Sequence, residues 1–199
     1  MPNWCSNYIT ITGSKTAIKK IKKVIESIED SQDPNVFSNL VGIEPNTTQE
    51  EYDKGGWYNS NVSYWGTKWD VNVDECNFDF DDQIIHMSPQ TAWSPPIGFG
   101  VALAKKYKVE VSMVYEEPGC DFAGRTLIYK DGEKDEEDYS FIEGIYYFSN
   151  ETFWYEVESD IESYRDDSDG KVVEDFVEER YGFVSEEDKE TILKMYKDE

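Results

Sequence analysis

The residue types that do acid–base, nucleophilic or metal chemistry are present, but not at the spacings such chemistry needs. His86 is the only histidine, which removes Ser-His-Asp and Cys-His-Asn arrangements and multi-histidine metal sites from a single chain. Cys5, Cys76 and Cys120 with His86 have the ligand types of a zinc site, yet no CxxC pair occurs among them. The 43 carboxylates are so numerous that chance proximity explains any pair, so neither glycosidase nor two-metal chemistry is assigned. Asp166-Asp167-Ser168-Asp169-Gly170 has the composition of a calcium loop, but it lacks the alternating ligand order and the glutamate at the twelfth loop position. Removal of Met1 would expose the Pro2 amine, a general base in some small α/β enzymes, but no oxyanion partner for it can be located. Phosphate loops, dinucleotide fingerprints and nucleophile elbows are missing. No catalytic residue, metal or cofactor is therefore assigned, and the chain is expected not to be an enzyme.

One constellation suits binding. Trp65, Lys68, Trp69 and Asp70, with Trp93 further along, can wall an aromatic pocket around a charged pair. The preferred reading is plainer: the tryptophans pack as core beneath a helix, and Lys68 and Asp70 are their solvent-facing neighbours.

The charge balance narrows the partners. The 199 residues carry 43 acidic and 19 basic side chains, a net −24 at pH 7. Of these, 25 acidic and 7 basic fall within residues 131–199, a net −18. Such a field repels DNA, RNA and anionic lipid, whose affinity comes from lysine and arginine neutralising phosphates. A basic protein is the expected partner. Three widely spaced cysteines offer no disulfide framework, the first residues lack a signal sequence, and no apolar run approaches the ~20 residues of a membrane span. A reducing bacterial cytoplasm is the expected location.

The elements that must position these residues read as follows. Residues 7–13 alternate as a strand, and Ser14 caps a helix to about Asp30 whose Ile18, Ile21, Ile25 and Ile28 form one stripe amid lysines. Residues 31–63 form a long insertion with short helical turns. A strand over 69–74 pairs as a hairpin with one over 84–87, across a turn at 79–83. Ser94 caps a helix with Pro95 at its first position, running to Lys105 and Lys106, and a fourth strand spans 109–115. The order β-α-β-β-α-β predicts a ferredoxin-like split βαβ sandwich, so the fold class is α+β. This domain covers 1–124. An acidic extension over 125–199 follows, with strands at 126–130 and 139–149 around an Asp131-Gly132 turn. Helices at about 171–181 and 186–197 complete it, the second opened by Ser185 and Asp188.

Four segments also resemble a known family: Pro2-Asn3-Trp4-Cys5-Ser6-Asn7, Trp65-Gly66-Thr67-Lys68-Trp69-Asp70, Thr91-Ala92-Trp93-Ser94-Pro95-Pro96 and Glu117-Pro118-Gly119-Cys120-Asp121-Phe122-Ala123-Gly124. Together they look like the YubB-like proteins of phages and plasmids, over roughly residues 1–130. That resemblance implies a ferredoxin-like domain and a mobile-element origin. It transfers no site residues.

The expected function is thus inhibition without catalysis. The acidic extension would occupy the nucleic-acid-binding surface of a host defence protein, as a DNA mimic of anti-CRISPR type, with a CRISPR effector nuclease as the first candidate target. The residues expected to carry it are Asp135, Glu136, Glu137, Asp138, Glu156, Glu158, Asp160, Asp166, Asp167 and Asp169, anchored by Tyr146, Tyr147 and Trp154. The rival expectation is a ligand-binding or regulatory module using the Trp65–Asp70 region, with the extension only conferring solubility.

Overall fold

The computed structural model describes residues 3–29, 33–167 and 172–197. The chain divides into two compact units, one of residues 1–120 with 124–138, the other of residues 121–123 with 139–199. The boundary expected at 124/125 falls instead near 138/139.

The first unit is organised around β1 (Trp4–Thr12), whose burial alternates residue by residue. That period of two is the signature of a strand with one face covered. Cys5, Ile9 and Ile11 point into the core, and the stripe Ile18, Ile21, Ile25 and Ile28 of α1 (Lys15–Glu29) is buried with them. β2 (Asn77–Phe80) and β3 (Ile84–Ser88) form the hairpin, β4 (Gln90–Ala92) is a short strand on β1, α5 (Ile97–Tyr107) follows, and β5 (Glu110–Glu117) returns. β1 lies between β3 and β5 and is antiparallel to both, with Ile9 opposite Met87 and Met113. The spatial order β2-β3-β1-β5 is that of an α+β ferredoxin-like sandwich. β6 (Phe122–Ile128) and β7 (Lys134–Tyr139) extend the sheet beyond β5. The turn joining them uses Gly132 at φ 89°, with Gly132 N–H donating to Tyr129 O and Glu133 N–H to Asp131 Oδ1. The insertion contains α2 (Val36–Val41), α3 (Gln49–Glu51) and α4 (Trp57–Tyr64).

The expected strand over 69–74 does not form. Val71 and Val73 are buried as the alternation requires. Their backbone, however, pairs with the segment before α2, through Val36 N–H to Val71 O and Val73 N–H to Pro34 O, leaving a single bridge between Asn35 and Asn72. The hairpin partner of β3 lies further on, at β2. The helix expected from Pro95 starts at Ile97 with Pro96 as its cap residue. The Ser94 hydroxyl donates instead to Gly66 O.

The second unit is helical. Residues 141–148 are α6 (Phe141–Phe148) and not the strand expected over 139–149, because Ile142 and Ile145, three apart, are the buried pair. Asp121 Oδ1 accepts from Phe141 N–H at the start of the helix. α7 (Asn150–Asp167), α8 (Val173–Tyr181) and α9 (Glu186–Lys197) follow. α7, the longest helix, buries Phe153, Val157 and Ile161 at i, i+4, i+8 against Val177, Tyr181 and Ile192. Ser185 caps α9, accepting from Asp188 N–H while donating to Asp188 Oδ2. Among the described residues no helix is long and apolar enough to cross a membrane.

Gly98 sets how closely α5 approaches the end of α4. A Cβ there would lie 2.4 Å from Tyr64 O and 3.0 Å from the Trp65 carbonyl carbon. Gly98→Ala is expected to cost about 1–3 kcal/mol through overpacking, seen as a lower urea midpoint with unchanged slope. An unchanged midpoint would contradict the close approach.

Candidate functional site

The four segments singled out in the sequence converge at one end of the first unit. Trp4 opens β1 opposite Ala92 of β4, and Trp93 N–H extends that pairing to Asn3 O at 3.0 Å. The ring centroids of Trp4 and Trp69 are 6.1 Å apart, and those of Trp69 and Trp93 6.4 Å. The Lys68 ammonium lies 4.4 Å from the Trp69 ring centre and 4.5 Å from that of Trp93, within cation–π range of both. All three indoles are exposed, at 49% for Trp4, 37% for Trp69 and 42% for Trp93. Trp65 alone is the core residue expected: it is 1% exposed, its Nε1 donates to Gly42 O, and its ring meets Phe37 edge-on. Asp70 is not a solvent-facing neighbour. Its carboxylate accepts from Phe37 N–H at 2.6 Å and Ser38 N–H at 2.8 Å, at the start of α2. Burial pushes its pKa above the usual carboxylate range, against the pull of these donors.

Trp93 takes φ 70°, a left-handed backbone that is an outlier for a bulky residue and costs of order 1–2 kcal/mol. Buried polar groups fix it there. The Asn7 amide donates to Cys5 O, Pro89 O and Thr91 Oγ1. The Thr91 hydroxyl donates to Ser94 O, and the Thr67 hydroxyl to Ala92 O. On the far side, Asn61 Nδ2 donates to Lys68 O and so fixes the backbone beneath the ammonium. Asn3 Nδ2 reaches Cys120 Sγ at 3.3 Å, which brings in the fourth segment. The result is an exposed row of indoles around one cation, suited to stacking on a planar or C–H-rich group and not to bond making.

The zinc ligand set is not assembled. His86 Nδ1 shares a hydrogen bond with Thr10 Oγ1. Cys5 and Cys76 are buried with thiols pushed up to about 12, mainly by desolvation. Among the described residues no three His, Cys, Asp or Glu side chains are arranged to hold a metal ion. Pro2 lies outside those residues.

The acidic candidates separate into two groups. On β7, at the sheet edge, each is engaged within its own unit. Asp135 accepts from Tyr129 OH, Glu136 pairs with Lys134, Glu137 takes a two-pronged bond from Arg125, and Asp138 accepts from Tyr115 OH. In the helical unit, Asp160 accepts from buried Tyr181 at 2.6 Å and from Arg180 at 2.9 Å. Tyr146 donates to Asp188, Trp154 packs on Phe153, and Glu156 is half-buried. Tyr147 and Glu158 are exposed. Asp166 and Asp167 sit on the last turn of α7, and Asp169 lies outside the described residues.

The exposed face of α7 is a different set, which the sequence reading missed because it placed no helix there. Glu151, Tyr155, Glu158 and Glu162 fall at i, i+4, i+7 and i+11, all exposed, with Tyr155 at 69%. The signal available in the sequence was the apolar triplet Phe153, Val157 and Ile161, which fixes the helix phase and hence the opposite face.

Residues 64–158 match the family described as the ferredoxin-like domain in Api92-like protein. The matched stretch takes in the Trp65–Asp70 and Thr91–Pro96 segments and continues into α7. Among solved structures, protein api92 from Yersinia pseudotuberculosis aligns with 70% of this chain and 99% of its own at a TM-score of 0.49 and 10% identity. No curated protein matches this chain.

The strain at Trp93 is open to a direct check. Trp93→Gly should be more stable than Trp93→Ala by about 1 kcal/mol, the cost that a side chain adds at this φ. Thermal melts of the two variants measure it, and alanine equal to or above glycine would remove the strain argument.

Proposed function

We propose that this chain is a non-catalytic binding protein of mobile-element origin, as the resemblance to the YubB-like family implies. On this reading it inhibits a host defence protein by occupying a basic surface that otherwise holds nucleic acid. The observation that carries the reading is the stripe of Glu151, Glu158 and Glu162 on α7 around the exposed Tyr155. Among the described residues none of these carboxylates has a basic partner in its own chain, unlike Glu136 and Glu137 of β7. Carboxylates repeated at helical steps of roughly 6 and 10 Å can meet arginine and lysine in charge-assisted pairs, with an aromatic anchor between them. A CRISPR effector nuclease is the first target to test, and restriction and repair nucleases follow.

The experiment is inhibition of DNA cleavage by purified nucleases of these classes. Inhibition should weaken as salt rises and as competitor DNA is added. The triple variant Glu151→Lys, Glu158→Lys, Glu162→Lys should lose at least about tenfold in potency, a loss of roughly one charged contact or more. Equal potency of the triple variant, or inhibition of none of these nucleases, would sink the proposal.

A second reading has its own observation: the strained Trp93 and the exposed indole row favour a ligand-binding or regulatory module in the first unit. The two readings part cleanly. Under the second, neutralising α7 leaves activity intact, whereas Trp69→Ala abolishes it.

A further inference from the structure

The first unit contains a cavity of about 730 Å³, within the range of small-molecule sites. One face of α5 supplies its apolar wall through Ile97, Val101 and Ala102, and the lining also includes three lysines, Lys105, Lys106 and Lys134. In a chain with 43 acids and 19 bases, three ammonium groups about one apolar wall need an explanation.

Two of the three are partly satisfied. Lys134 pairs with Glu136, which also lines the cavity, and Lys106 Nζ donates to Leu40 O at 2.6 Å. Lys105 has neither an ion pair nor a hydrogen bond among the described residues. Its exposed stem runs beside the β6–β7 turn: a Cβ on Gly132 would come within 2.1 Å of Lys105 Cε. Gly132, at φ 89°, thus serves the β6–β7 turn and at the same time leaves the space that the lysine fills.

The geometry points to a binding site for a small amphipathic anion: a carboxylate, sulfonate or phosphate head at Lys105, flanked by Lys106, with an apolar or aromatic body against Ile97, Val101 and Ala102. The overall negative charge does not forbid it. Screening at physiological salt acts over about 8 Å, so for a ligand of this size the three lining lysines, set against the single lining carboxylate of Glu136, outweigh the carboxylates farther away. A nucleic-acid strand is longer than this patch and would also lie against the acidic surface around it, which disfavours it. The site shares no residue with the α7 stripe or the indole row, and it stands or falls independently of either functional reading.

The test uses two fluorescent probes of like shape, anilinonaphthalene sulfonate and its uncharged counterpart N-phenyl-1-naphthylamine, titrated into the folded full chain. The sulfonate should bind at one site and at least about tenfold more tightly than the neutral probe. Lys105→Glu should remove that preference and leave the neutral probe unchanged. Val101→Trp, which fills the apolar wall, should weaken both, and Lys19→Glu on the exposed face of α1 should alter neither. Equal affinity for the two probes, indifference to Lys105→Glu, or an equal response to Lys19→Glu would overturn the proposal. So would loss of binding in Trp69→Ala with retention in Val101→Trp, since that would place the probe on the indoles.

Discussion

The side-chain amide of Asn7 ties β1, the Pro89 carbonyl and β4 of the first unit together through three hydrogen bonds. It is buried on the core face of β1, where its NH₂ meets Cys5 O, Pro89 O and Thr91 Oγ1. A buried amide left without partners costs several kcal/mol, so this position is either satisfied or ruinous. Because it is satisfied, β4 is held against β1, and Thr91 in turn fixes the carbonyl of Ser94. The left-handed turn at Trp93 follows from those two constraints. The exposed indoles are thus the surface expression of a buried polar network, and the energy that holds them out in water is spent inside the unit.

A second device recurs in both units. Tyr115 bonds Asp138, Tyr129 bonds Asp135, Tyr146 bonds Asp188 and Tyr181 bonds Asp160. In these four pairs a carboxylate accepts from the hydroxyl, so aromatic area packs with its polar end satisfied, whereas among the described residues no carboxylate accepts from the buried Tyr196 hydroxyl. Burial, reinforced by the neighbouring aspartate, pushes the Tyr115 and Tyr181 hydroxyls well above the usual tyrosine pKa. Part of the negative charge therefore serves the cores. Charge counted along the sequence overstates what is left for a partner, and it gives no indication of which carboxylates remain.

The ferredoxin-like core was legible because its signals are local and repeated. The isoleucine stripe of α1, the alternation of β1 and β5, and the order of elements each point to the same sandwich, and the sheet has that order. The failures share a cause, which is partner choice. Residues 69–74 alternate like a strand, but the backbone within reach of Val71 and Val73 is the approach to α2 and not the sheet. Residues 141–148 have strand-like composition, yet Ile142 and Ile145 find their burial three residues apart, and Gly144 lets α6 lie so close to Ala123 that a Cβ would meet that residue at 2.3 Å. α7 went unseen because its apolar triplet is diluted by charge. Without its phase, Asp160 and Glu158 look alike, although one accepts from a buried tyrosine and the other faces water. At the tryptophans, residue types indicated a pocket or a core, and the structure divides them: Trp65 inside, Trp69 and Trp93 outside. Trp4, the third member of the row, is brought there only by strand pairing.

The three cysteines differ in a way that has practical weight. Cys5 and Cys76 are buried, whereas Cys120 is exposed, with Asn3 donating to its sulfur and the Glu117 carboxylate holding its thiol pKa above the usual value. Mild alkylation of the folded chain should therefore stop at one sulfur. That sulfur contacts the residue preceding Trp4, so a spin label or dye attached there becomes a reporter beside the indole row, introduced without altering a single codon.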